Sequence, residues 1–224
     1  MKRLLYVPII HTLSDMGSLG PAIDEVSASV LGENRWAKHK ETVARFWDAI
    51  GSYLASVDAS HLKLYQDGLA ADGNLGRRVV EEAARRGSKN HQIVLNLMDR
   101  GAEIRQTEDL LLLLEEGRQL LRATQGGSNA NDAQDFLTYD YEKQRLTEQR
   151  DRFVAGRINE TLKEGETGVL FMGAYHNVIP LLAEDILVTE VKPRNKVEAY
   201  FQELLNGLDE GELEQLASSL TCPA

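Results

Sequence analysis

Short, unbroken apolar runs alternate along the chain with longer stretches in which apolar residues recur every three or four positions. Residues 3–11 carry "LLYVPII" up to His11, the pattern of a strand buried on both faces. A helix is predicted over 21–31 and a stronger one over 35–57, where Val43, Phe46, Trp47, Ile50, Leu54 and Val57 fall on one face. "HLKLYQDG", 61–68, is a second strand candidate ending in Asp67 and Gly68. The helix "LGRRVVEEAARRG" follows a turn at Asp72–Asn74, and Gly87 is read as its C-cap. Ser88 then supplies an N-cap for "KNHQIVLNLMDRG", which runs into the short strand "AEIRQT".

Thr107 is expected to cap "EDLLLLLEEGRQLLRA". The segment 124–132, "TQGGSNAND", with two glycines, a serine and two asparagines, is read as a flexible loop, either a mobile lid or, as its length favours, a long connection. Beyond it come a long polar helix near 133–163, the strand "GVLFMGAYH", a short helix "NVIPLLA", the strand "DILVTEV" and two C-terminal helices. Strands that alternate with helices in this order imply an α/β fold: one domain over 1–224, a mainly parallel central sheet with helices on both faces, and a long helix before a late core strand. A length of 224 residues suits one such domain.

Composition narrows the partners. With 25 basic and 35 acidic residues the net charge is −10, which disfavours nucleic-acid backbones and anionic membranes. Arg77, Arg78, Arg85 and Arg86 are interleaved with Glu81 and Glu82 at helical spacing, a solvated helix face rather than a polyanion site. The N-terminal apolar run is short and contains Pro8, so it reads as a strand, not a signal peptide, and no stretch is long enough to cross a bilayer. A single cysteine, Cys222, suits a reducing compartment, and a cytoplasmic location is expected. Homo-oligomerisation through the apolar faces of the C-terminal helices is left open. The sequence holds no phosphate-loop, dinucleotide-turn, CxxC, HExxH or GxSxG motif.

What remains is a set of polar residues at strand ends. His11 and His176 each follow a buried apolar strand, so parallel strands would bring both to one carboxyl edge, where such folds bind ligands. Gly173, three residues before His176, leaves room for the imidazole. Asp67 closes the second strand; Glu108 and Asp109 follow the third, where a helix's first turn also favours acids. Asp15 is read either as orienting His11 or as a cap. His39, His61 and His91 read as surface residues, and Arg150, Asp151 and Arg157 either face the sheet's carboxyl edge or, as is usual on a long amphipathic helix, are solvated charges.

The string "LTEQRDRFVAGRINETLKEGETGVLFMGAYHNVIPLLAEDI" resembles the C-terminal part of the TraB/Tiki group, within the superfamily that includes erythromycin esterases and ChaN-like proteins. Arg150 and Asp151 match that group's "RD" helix; Gly173 and His176 match its glycine-x-x-histidine motif. His11 and Asp67 stand where the group carries a histidine after its first strand and an acid after its second. The chain departs from the pattern at Pro8, where the group has glycine, and at Asp67, where it usually has glutamate. The resemblance implies metal-dependent peptidases, metal-free hydrolases with a histidine base, or haem binders, depending on the branch.

The resulting expectation is a hydrolase acting on a small molecule or peptide. In a metal-free version a histidine is the general base, Asp67 or Glu108 orients it, and Arg150 stabilises an oxyanion. In a metal version His11, His176 and Asp67 hold a divalent zinc, manganese or iron ion. The alternative is a non-catalytic small-ligand-binding or sensory domain using the same crevice.

Overall fold

The computed structural model describes residues 1–125, 133–207 and 209–223, with side chains described for all of these except 120–125 and 133–141. Five strands, β1 (Lys2–Ile9), β2 (Leu62–Gln66), β3 (Glu103–Arg105), β4 (Thr167–Gly173) and β5 (Ile186–Glu190), form one sheet. Its order is β3-β2-β4-β1-β5 and every pairing is parallel. The helices are α1 (Gly20–Leu31), α2 (Glu33–Ala55), α3 (Gly73–Arg85), α4 (Lys89–Asp99), α5 (Leu110–Gln125), α6 (Ala133–Thr161), α7 (Arg194–Asn206) and α8 (Glu210–Thr221). This is the expected α/β architecture. The late strand β4 takes the central place because Gly168 to Met172 are buried on both faces, leaving no polar side chain to meet solvent.

The pleat divides the core in two. Leu4, Tyr6, Tyr65, Leu170 and Met172 pack against Val154, Ala155, Ile158 and Leu162 of α6. Their alternating neighbours, among them Val7, Ile9, Leu64, Val169 and Phe171, face Phe46, Trp47 and Ile50 of α2, Val94 and Leu97 of α4, and residues of α7 and α8. Each large apolar side chain removed from water here contributes ~1.5–3 kcal/mol, so both faces must stay covered. Register follows from the same alternation: Val7 pairs with Phe171 and Phe171 with Gln66, one row across three strands.

Some local expectations change. The cap of α5 is Asp109, whose Oδ1 accepts from the amides of Leu111 and Leu112 at 2.7 and 3.2 Å. Thr107 instead accepts the Gln66 amide on its hydroxyl, tying the ends of β2 and β3 together. Ser88 caps α4 as expected, accepting from the His91 amide. The segment "NVIPLLA" forms only a 3-10 turn at Ile179–Leu181. Of the expected loop at 124–132, residues 126–132 lie outside the described residues, while 124 and 125 close α5. The arginines in and just after α3 pair with neighbouring acids, Arg77 with Glu81 and with Asp99 of α4, and Arg85 and Arg86 with Glu82, as a solvated face does.

Candidate active site

The carboxyl ends of β2, β3 and β4 meet the buried side of α5 and α6, and polar groups gather there. Asp67 follows β2 in a turn that needs Gly68 at φ 76°, a conformation that glycine adopts without strain. The Leu69 carbonyl accepts the amides of both Thr107 and Glu108, at 2.9 and 3.0 Å, which draws the start of α5 over the Asp67 turn. Arg150 of α6 reaches into this corner. Its Nη2 donates to Glu108 Oε1 at 2.7 Å and to Asp67 Oδ1 at 2.8 Å, its Nε to Glu108 Oε2 at 3.2 Å, and its Nη1 to Glu116 Oε1 at 2.7 Å. A planar fork suits three carboxylates in a way a lysine ammonium does not.

One residue further along α6, Asp151 holds a second group. Its Oδ1 lies 2.5 Å from His176 Nδ1 and its Oδ2 accepts the Asn177 amide at 2.8 Å. After β4 the backbone folds back, the His176 amide donating to the Gly173 carbonyl at 3.1 Å, and this lays the imidazole over Gly173. A Cβ at Gly173 would sit 3.3 Å from His176 Cδ2, 3.8 Å from Asp67 Oδ2 and 4.0 Å from His176 Nε2. The missing side chain therefore lets the imidazole and the Asp67 carboxylate close on the strand, and Asp67 Oδ2 accepts the Gly173 amide at 3.4 Å. Side-chain exposures of 13 and 14 % for His176 and Asp67 keep the spot connected to solvent but largely dry.

Electrostatics follow from that dryness. Burial works to lower the His176 pKa, but the Asp151 hydrogen bond and the charges of Asp67 and Asp151 overcome it, leaving the imidazole raised above its usual 6.5. Burial pushes the Glu108 carboxyl up, against the pull of Arg150. For Arg150 itself, burial opposes the charge and the bonds to Glu108, Asp67 and Glu116 outweigh it, so the guanidinium stays positive.

Of the sequence candidates, Asp67, Glu108, Arg150 and His176 come together. His11 lies at the same edge, since Ile9 pairs with Gly173, yet its surroundings differ. It is exposed, and the groups acting on His176 are Asp151, Asp67 and Arg150, whereas His11 and Asp15 act on His91 of α4. Asp15 turns its Oδ2 to the Thr12 amide and hydroxyl, at 2.6 and 2.9 Å, which is the capping role. Two surface assignments are corrected. Arg150 and Asp151 are 5 and 4 % exposed, because three carboxylates and an imidazole hold their charges in place of water. His39 is buried between Trp36 and Tyr200, its Nδ1 2.9 Å from the Tyr200 hydroxyl, and burial drives its pKa down to about 4.

Asp151 as the partner of His176, and Glu116 as the outer partner of Arg150, were not assigned these roles from sequence. The adjacency of Arg150 and Asp151 on one helix, and the placing of Glu108 just before α5 with Glu116 inside it, are the signals that point to them. Among the described residues no three His, Cys, Asp or Glu side chains gather as a metal-ligand set. The Arg150 guanidinium on Asp67 also opposes a second cation there. Two surface grooves, one along Arg45, Asp48, Ser52 and Tyr53 and one along Arg35, Lys38 and Glu41, hold none of these groups. Comparison with protein-family models, curated proteins and solved structures finds no match for this chain.

Proposed function

We propose that the chain is a hydrolase-like enzyme in which His176, held by Asp151, is the general base. The observation that carries this reading is an imidazole whose Nδ1 is fixed by the Asp151 carboxylate, while its Nε2 and Asp67 Oδ2 both border Gly173, 4.0 and 3.8 Å from the Cβ position that the glycine leaves bare. A water or substrate hydroxyl bound there loses its proton to Nε2, and Asp151 stabilises the imidazolium that forms. Asp67, anchored by Arg150, orients that oxygen. Arg150 is engaged by carboxylates on Nε, Nη1 and Nη2, so its role is to hold Asp67 and Glu108 in place rather than to meet an oxyanion. The substrate is a small molecule or peptide, and the setting is the cytoplasm. Among the described residues, no helix is long and apolar enough to cross a membrane.

The test is a panel of chromogenic esters, amides, phosphoesters and glycosides, run on the wild type and His176→Ala with and without a chelator. Turnover that His176→Ala abolishes and the chelator spares supports the reading. Turnover lost to the chelator and restored by zinc, manganese or iron would instead establish a metal hydrolase. If the wild type turns over nothing yet a small polar ligand raises its melting temperature and His176→Ala cancels the rise, the crevice belongs to a ligand-binding domain.

A further inference from the structure

Two residues outside the acid–base set hold the turn on which His176 stands. Tyr6 lies in β1, fully buried, beside Glu190 in the sheet register, and its hydroxyl donates to the Gly173 carbonyl at 3.0 Å. That same carbonyl accepts the His176 amide, so the phenol stiffens the first link of the turn. Arg194, at the start of α7, donates through Nη1 to the His176 carbonyl at 3.0 Å. Glu190 fixes Arg194 twice, accepting its backbone amide at 3.0 Å and its Nε at 2.9 Å. The guanidinium carbon stands 5.2 Å from the centre of the Tyr6 ring, which joins the two supports through a cation–π contact.

We infer that Tyr6 and Arg194 are positioning residues for His176, clamping the Gly173–His176 turn at both of its ends by backbone hydrogen bonds. The Asp151 bond alone leaves the ring free to pivot about Nδ1; fixing the carbonyls of residues 173 and 176 sets where Nε2 points. A phenylalanine at position 6 would fill the same space in the core, so the hydroxyl adds a bond that packing does not require. Tyr6 suits this work because burial raises its pKa well above the usual phenol range, and it remains a donor at any pH the fold tolerates.

The inference rests on His176 being the proposed base, but its test does not need a substrate. Imidazole NMR of isotope-labelled wild type, Tyr6→Phe, Arg194→Gln and Arg194→Lys reads the His176 titration directly, with Asp151→Asn as the reference for a lost partner. A slackened turn weakens the short Asp151 bond, so Tyr6→Phe and Arg194→Gln are expected to move the His176 titration down, toward its ordinary value. Arg194→Lys should recover part of the shift. If turnover has been found, kcat should fall about tenfold in the first two variants with KM little changed, the cost of a misplaced base. Titrations that coincide with wild type in both Tyr6→Phe and Arg194→Gln, even if melting temperatures drop, would overturn the inference and leave the residues as ordinary supports of the fold. Should Tyr6→Phe not fold, Arg194→Gln decides alone. A shifted titration in a protein without turnover would uphold the clamp and defeat only the hydrolase reading.

Discussion

His176 and His11 stand just past the carboxyl ends of adjacent parallel strands, three and two residues beyond the paired Gly173 and Ile9, yet only one of them is built into a network. His176 folds back onto the sheet, where α6 brings Asp151 to one of its nitrogens and the bare Gly173 lets the ring lie close against the strand. His11 follows Ile10, whose carbonyl accepts the Trp47 indole of α2, and opens outward toward α4. A strand end offers a position; the helix that covers it decides whether the position acquires partners. The α6 side of the edge is dense with matched charges, and the α4 side leaves its histidine to solvent.

The sharpest way to break this contrast is to remove the arginine that organises the α6 side. Arg150→Met strands the fully buried Glu108 beside Asp67, and urea denaturation should show a loss of ~3–5 kcal/mol, smaller at acid pH where Glu108 takes up a proton. The double variant Glu108→Leu/Arg150→Met should regain much of it. A single-variant loss below ~1 kcal/mol would mean that the buried cluster does not hold this corner.

A third histidine extends the comparison to the core. His39 has a depressed pKa, so the folded state takes up its proton less readily than the unfolded chain. Its contribution is intact above pH 6.5 and is lost as the pH falls toward about 4, a swing of ~3 kcal/mol. His39→Phe should flatten the stability profile in that window, as measured by melting temperature against pH.

Asp151→Asn tests the partner that His11 lacks. Turnover should fall about a hundredfold or more as the ring loses its oriented tautomer. Because Asp151 raises the His176 pKa, the acid limb of the rate profile should also move to lower pH. The linked stability has the same origin: it is fully present below pH 6.5 and disappears as the pH rises through the raised value of the folded state. Asp151→Asn should therefore cost least stability at alkaline pH. The smallest effect belongs to His11→Ala, for which turnover within about threefold of wild type and an unchanged His176 titration are expected; a larger loss would return His11 to the site.

Much of the architecture was legible along the chain. The apolar runs at 3–11 and 167–173 are too short and too continuous for amphipathic helices, and β1 and β4 formed there; the three-and-four spacing of Val43 to Leu54 became the buried face of α2. Asp67, Glu108 and His176 were legible as strand-end polar groups because a polar residue that closes a buried run has to emerge at an edge. Spacing alone read Arg150, Asp151 and His39 as surface residues, and Arg150 entered the expected site only as an oxyanion donor. Spacing on a helix shows which residues share a face, but not whether that face meets water or three carboxylates.

The sequence by itself determined which segments are strands and helices, that they alternate, and that histidines and acids sit at strand ends, since these depend on periodicity and on a few residues of local context. Only the tertiary structure decided which of those residues meet. Placing β4 between β2 and β1 brought Gly173 beside Asp67, and laying α6 across that face delivered Arg150 and Asp151 to partners 42 and 25 residues away along the chain. Contacts at such separations follow from how buried surfaces are shared between layers, which no local pattern specifies.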